Sequence, residues 1–245
     1  MARYFGTVSR GVRAPIIREG DDITDVVVSC ILNASEAEGV PLRDRDVIAI
    51  TEAVVARAQG NYASVDQIAG DIKRKYPEGE IGLVLPILSR NRFAVNLRGI
   101  ARGVDKIILQ LSYPCDEVGN RLIKSEDLSA SGLNPWTDVL TEKRYRELFG
   151  QNPHAFTGVD YVGYYRQVAE EENCEIEIIF ANNPCVITDY TPYVLSCDIH
   201  TRKQNKKLIR AAGARTVLNM EDILNEPFEG SGYNFVLIDS FEAVE

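Results

Sequence analysis

The chain has 245 residues, 45% hydrophobic and 26% charged, with 27 basic against 36 acidic side chains and a formal charge of −9. A chain this long buries roughly 70–75% of the surface its unfolded form exposes, so collagen-like, disordered and disulfide-scaffold classes are excluded. The acidic balance repels phosphate backbones and sets nucleic acid aside as a partner. Apolar runs such as 26–32 and 81–88 are too short to cross a bilayer, and the opening Met-Ala-Arg-Tyr-Phe has no signal-peptide core, so no membrane partner is expected. Cys30, Cys115, Cys174, Cys185 and Cys197 are odd in number and form no C-x-x-C pair, as expected of reduced thiols in a cytoplasmic protein.

Hydrophobic periodicity predicts helices over 22–37, 64–76, 91–103, 141–149, 160–172 and 201–212. Strands are predicted over 46–51, 81–85, 106–112, 175–181, 194–199, 216–219 and 236–239. Ser64 followed by Gln67 is a capping box, and Gly213 stands where a helix should stop. Strands alternating with helices give an α/β (mixed α+β) class. The Pro-, Gly- and acid-rich stretch 113–137 reads as a long irregular loop joining two subdomains, 1–112 and 113–245.

Five segments carry polar groups in positions suited to chemistry. Pro15 sets an extended backbone ahead of Gly20-Asp21-Asp22, where loop amides could hold a base or phosphate. A predicted strand ends at Thr51-Glu52, with Arg57 about a turn further on; its guanidinium suits a phosphate or a surface pairing with Glu52. Arg90 and Arg92 at a helix start oppose the helix dipole unless an anion lies between them, though surface ion pairs would also hold them. Asp116 and Asn120 follow a strand, and carboxylates there suit a hard divalent cation. Asp198 and His200 would share one face of a strand end, with the Thr201 hydroxyl capping the next helix. The Walker A loop, G-x-G-x-x-G, G-x-S-x-G and H-E-x-x-H motifs do not occur.

Taken in order, these segments resemble the coenzyme F-420 gamma-glutamyl ligase family. Glu19-Gly20-Asp21-Asp22 is similar to its E-G-D-D loop, and 46–60, ending Val-Ala-Arg-Ala-Gln-Gly, to its second nucleotide segment. Asp116 to Asn120 resembles its Asp-x-x-Asn element with one extra residue, and Asp198-Ile199-His200-Thr201-Arg202 its D-T-F-G-R element. The resemblance implies a gamma-glutamyl ligase-like fold of two subdomains, an intertwined homodimer, and a GTP-dependent ligase that forms a carbon–nitrogen bond. A carboxylate on a small-molecule substrate would be activated as an acyl phosphate and attacked by L-glutamate. It implies Mg2+ or Mn2+, with K+ as an additional cation. Asp116 and Asp198 are the implied metal ligands. Ala14, Pro15, Ile16 and Ile17 would meet the nucleotide through backbone, with Glu52, Arg57 and Asn120 beside it; Arg90 is the basic-pocket residue read directly from the sequence.

The family's Ser-Lys pair falls on Glu52-Ala53, its second lysine on Arg57, and the Thr of D-T-F-G-R on Ile199. An alternative follows: a non-catalytic or incomplete ligase-like binding domain. Its Gly-rich C-terminal segment is matched at most by Gly230-Ser231-Gly232-Tyr233, so the chain is expected to be C-terminally truncated.

Overall fold

The computed structural model describes residues 6–86, 91–116, 119–154, 157–198, 200–232 and 242–244. The chain forms two compact units, Met1–Asn61 and Tyr62–Glu245.

In the first unit, helix α1 (Ile23–Glu38) starts because the Asp22 carboxylate accepts from the amides of Thr24 and Asp25 at 2.9 and 3.1 Å. It stops at Gly39, which adopts the left-handed conformation that a Cβ would strain. Helix α2 (Glu52–Ala58) follows Thr51. The run 46–51, predicted as a strand, is not one. Its backbone is in no ladder among the described residues, and Val47 is 89% exposed. β-branched composition favours an extended chain, but a strand exists only where a second strand completes its hydrogen bonds.

The second unit is built on a six-stranded sheet in the order β4-β5-β3-β2-β6-β7. Its strands are β2 (Glu80–Leu85), β3 (Lys106–Leu111), β4 (Leu140–Thr141), β5 (Glu175–Phe180), β6 (Tyr193–Ser196) and β7 (Thr216–Asn219). All pairs are parallel except β4 with β5. Strand β1 (Tyr62–Ser64) pairs separately with β8 (Glu242–Val244).

The strands are apolar on both faces, as buried parallel strands must be. Ile81, Leu83, Leu85, Ile107, Leu109 and Leu111 face a core shared with α3 (Val65–Lys75), α4 (Asn91–Gly103) and α7 (Tyr161–Glu171). The alternate residues Val84, Ile108, Ile179, Val194 and Val217 face a second core with Ile187 and with Ile209 of α8 (Arg202–Ala211).

Helix α3 opens on the predicted capping box: Ser64 Oγ accepts from the Gln67 amide at 3.2 Å, and Gln67 Oε1 from the Ser64 amide at 2.9 Å. It packs on α4 across Gly99 and Gly103, where an added Cβ would lie 2.7 Å from Ile68 Cγ2 and 2.7 Å from the Ala69 carbonyl oxygen respectively.

Three further expectations concern the stretch 113–137 and the strands 194–199 and 236–239. The stretch 113–137 lies inside the second unit and contains helix α5 (Ser125–Ser131). Chain on both sides of it joins one sheet, β3 and β4 both pairing with β5. Strand 194–199 ends at Ser196, where the ladder with β7 runs out. The expected strand 236–239 lies outside the described residues. Helix α6 (Glu142–Phe149) follows β4 directly, its first turn capped by Thr141 Oγ1.

Candidate functional site

In the first unit, two segments singled out from sequence meet. The Gly20 amide donates to the Ala58 carbonyl at 2.9 Å, docking the loop ahead of α1 on the end of α2. Gly20 and Gly60 both hold positive φ, and a Cβ on Gly60 would come within 2.8 Å of Glu19 Oε1. Asp21 closes the loop by accepting from the Arg18 amide at 2.7 Å. Ala14, Pro15 and Ile16 are exposed and Ile17 half-buried in the preceding loop; Glu52 and Arg57 are exposed on α2. Gly20 is the bend that a pairing of these two segments requires.

In the second unit, Asp116 and Asn120 are brought together. The Asn120 amide donates to Asp116 Oδ1 at 2.8 Å and its side-chain Nδ2 to Oδ2 at 2.7 Å, while the Asp116 amide donates back to the Asn120 carbonyl at 3.0 Å. Asn120 is exposed, and Asp116 is 9% exposed.

Asp198 sits two residues beyond β6 and is fully buried. Its Oδ1 accepts from the amide and hydroxyl of Thr201 at 2.8 and 3.2 Å; its Oδ2 accepts from Ser196 Oγ at 2.6 Å and Asn205 Nδ2 at 3.1 Å. Those four donors match the four lone-pair sites of a carboxylate. Thr201 is the N-cap of α8 without a side-chain cap bond, its hydroxyl being directed to Asp198. The expected shared face of Asp198 and His200 is not formed, because the strand ends at Ser196 and His200 is exposed. Ser196 and Asn205 were not singled out from sequence; Asn205, one helical turn past Thr201, was the available signal. Arg90 and Ile199 lie outside the described residues.

Topology says where a ligand of this sheet belongs. From β2 the chain steps to β3 and β5 on one side, then returns to place β6 and β7 on the other. The crevice outside the carboxyl ends of β2 and β6 is therefore the topological switch point. Asp198 follows β6 at that edge, and Asp116 follows β3 on the far side of β2.

Among the described residues, no group of three or more His, Cys, Asp and Glu side chains gathers as a metal site would require. A magnesium-like ion can be held through one carboxylate, with waters and substrate phosphates completing its shell, and Asp116 suits that mode. Asp198 does not fit as folded, since an ion could reach its oxygens only by displacing donors that anchor α8.

Residues 11–188 match the model of the F420-0:gamma-glutamyl ligase family. No curated protein and no solved structure matches the chain. The matched span contains both unit-1 segments and the Asp116–Asn120 loop, and stops short of Asp198. Among the described residues, no helix is long and apolar enough to cross a membrane.

Proposed function

Because the chain belongs to the F420-0:gamma-glutamyl ligase family, we propose that it is a nucleotide- and metal-dependent amide ligase that adds L-glutamate to the carboxylate of a small molecule. The observation that carries this reading is the family match over 11–188, which takes in both first-unit segments and the Asp116–Asn120 loop.

In the proposed reaction a carboxylate oxygen takes the γ-phosphoryl group of GTP, and GDP leaves. The amine nitrogen of glutamate then attacks the acyl carbon, the C–O bond to phosphate breaks with its electron pair on oxygen, and the ammonium proton goes to solvent or a base. The exposed 14–17 stretch, ahead of the Gly20 bend that is fixed on α2, would meet the base or phosphates through backbone, with Glu52 and Arg57 at the exposed face of α2. Asp116, oriented by Asn120, would hold the divalent ion, Mg2+ or Mn2+, that phosphoryl transfer calls for. K+ would be an additional counter-ion.

A homodimer belongs to this reading. Helix α1 contains no buried residue; Val28 and Leu32 on it are 50% and 54% exposed, and Val47 and Ile48 of the unpaired strand-like run are 89% and 53% exposed. A second copy would cover such a surface and give that run a partner. All five cysteines are free, which accords with the cytoplasm.

The test is GDP release and amide formation from GTP, L-glutamate and a panel of carboxylic acids, each with and without manganese. Light scattering on the same sample should return twice 27.3 kDa. Glu52-Ala53 in place of Ser-Lys, with Asp198 fully engaged, favours a second reading as a non-catalytic binding domain. Metal-dependent GTP binding without turnover would select it.

A further inference from the structure

We propose that a cavity of about 220 Å³ between the 121–124 segment, α6 and the start of α7 is the binding site of an acidic amino acid, the glutamate of the ligase reading on which this inference rests. The volume lies below the roughly 300–1,000 Å³ of drug-sized sites and suits a ligand the size of an amino acid.

Its floor is apolar and rigid. Ile123, Tyr145, Tyr161 and Val162 line it and are all buried. Asn152 braces the wall by donating to the Tyr145 hydroxyl at 2.9 Å and to the Leu122 carbonyl, and it does so at a positive φ of 41°. Arg146 locks the other side by holding Asp160 with two hydrogen bonds of 3.0 and 2.8 Å. Such a floor takes the methylene stem of a ligand.

Its mouth is cationic. Arg121 and Lys124 line the cavity, are exposed, and make no ion pair among the described residues, in a chain carrying nine excess negative charges. Two cations above an apolar floor match the two carboxylates of glutamate, and the wall carboxylate of Asp160 offers an acceptor for its ammonium.

Chain connectivity joins this cavity to the proposed nucleotide chemistry. Arg121 is the residue after Asn120, and the amides of Leu122 and Ile123 donate to the Pro114 carbonyl at 2.7 and 3.1 Å, closing the loop that presents Asp116. Substrate bound here would lie beside the loop that the ligase reading assigns to the divalent ion.

The test is calorimetric titration of L-glutamate into the full chain and into an Arg121→Gln, Lys124→Gln double variant, with L-glutamine, succinate and inorganic phosphate as comparison ligands. L-glutamate should bind most tightly, and the double variant should bind it at least tenfold more weakly while melting at an unchanged temperature. If the double variant fails to fold, Lys124→Gln alone carries the comparison. Unchanged affinity in the variant overturns the proposal, as does no binding of L-glutamate with GTP and Mg2+ present, or phosphate binding the more tightly. The ligase reading fails separately, on absence of GDP release. Amide formation with an unchanged KM for glutamate in the variant sinks the cavity alone.

Discussion

The buried carboxylate of Asp71 accepts a 2.7 Å hydrogen bond from the backbone amide of Leu224, 153 residues further along the chain. The same carboxylate pairs with Arg74 at 2.6 Å and Lys75 at 2.7 Å, and Lys75 continues to Asn225 Oδ1 at 2.9 Å and to the Asp222 carbonyl. Helix α3 is thereby tied to the segment that leaves β7, where Leu224 is held at a φ of +50°. Asp71→Ala should lower the unfolding free energy by about 3 kcal/mol, because it strands a buried amide and removes the countercharge of a lysine that is 17% exposed. Urea denaturation reads this directly, and a midpoint within error of the parent would refute it.

Close approach of α3 and α4 rests on Gly103, whose Cβ would press on a backbone oxygen that cannot rotate away. Gly103→Ala should cost about 1–3 kcal/mol despite alanine's better helix propensity. A thermal melt that rises instead would mean the helices slide apart freely.

The two expected metal carboxylates should separate experimentally. Asp198→Asn replaces an acceptor of four donors by an amide with only one acceptor oxygen, so it should destabilise the fold by about 2 kcal/mol. Asp116→Asn sits in a short closed loop and should leave the melting temperature within a few degrees while weakening manganese-dependent GTP binding at least tenfold. Equal melting losses in the two variants would contradict this division.

Acid sensitivity should centre on Glu172. Hydrogen bonds from Arg102, followed by its charge and by Arg98, hold this carboxyl below its ordinary 4.5 despite the opposing effect of burial. A depressed folded-state value means the stabilisation is present above pH 4.5 and fades as pH falls through the folded value. Glu172→Gln should therefore reduce stability at pH 7 and flatten its decline below pH 4.5. Parallel acid limbs for parent and variant would dispose of the assignment.

Thiol chemistry should divide the cysteines. Burial, reinforced by Asp105 and Glu175, pushes Cys174 up to about 12; burial and Asp198 push Cys197 up as well. Both are buried, whereas Cys30, Cys115 and Cys185 are half-buried. Ellman's reagent should label Cys174 and Cys197 only in denaturant. Fast labelling of either in the native protein would show that its core opens.

Local signals in the sequence determine much of this protein. The helix starts at Asp22 and Ser64, the apolar strands of the large sheet, and the family resemblance were all legible, because caps act over three residues and periodicity over about ten. Site residues were legible only as candidates. That Asp116 closes on Asn120 follows from their short spacing, whereas the capture of Asp198 by Ser196, Thr201 and Asn205 appears only once β6 ends at Ser196.

Strand pairing was decided by the tertiary structure alone. The run at 46–51 has strand composition without a strand, since hydrogen-bond partners come from elsewhere in the chain or from another chain. The return of β6 beside β2, which creates the switch point, depends on packing across the whole sheet. The cavity beside Arg121 and Lys124 likewise needed three segments distant in sequence to meet, and no local pattern records that meeting.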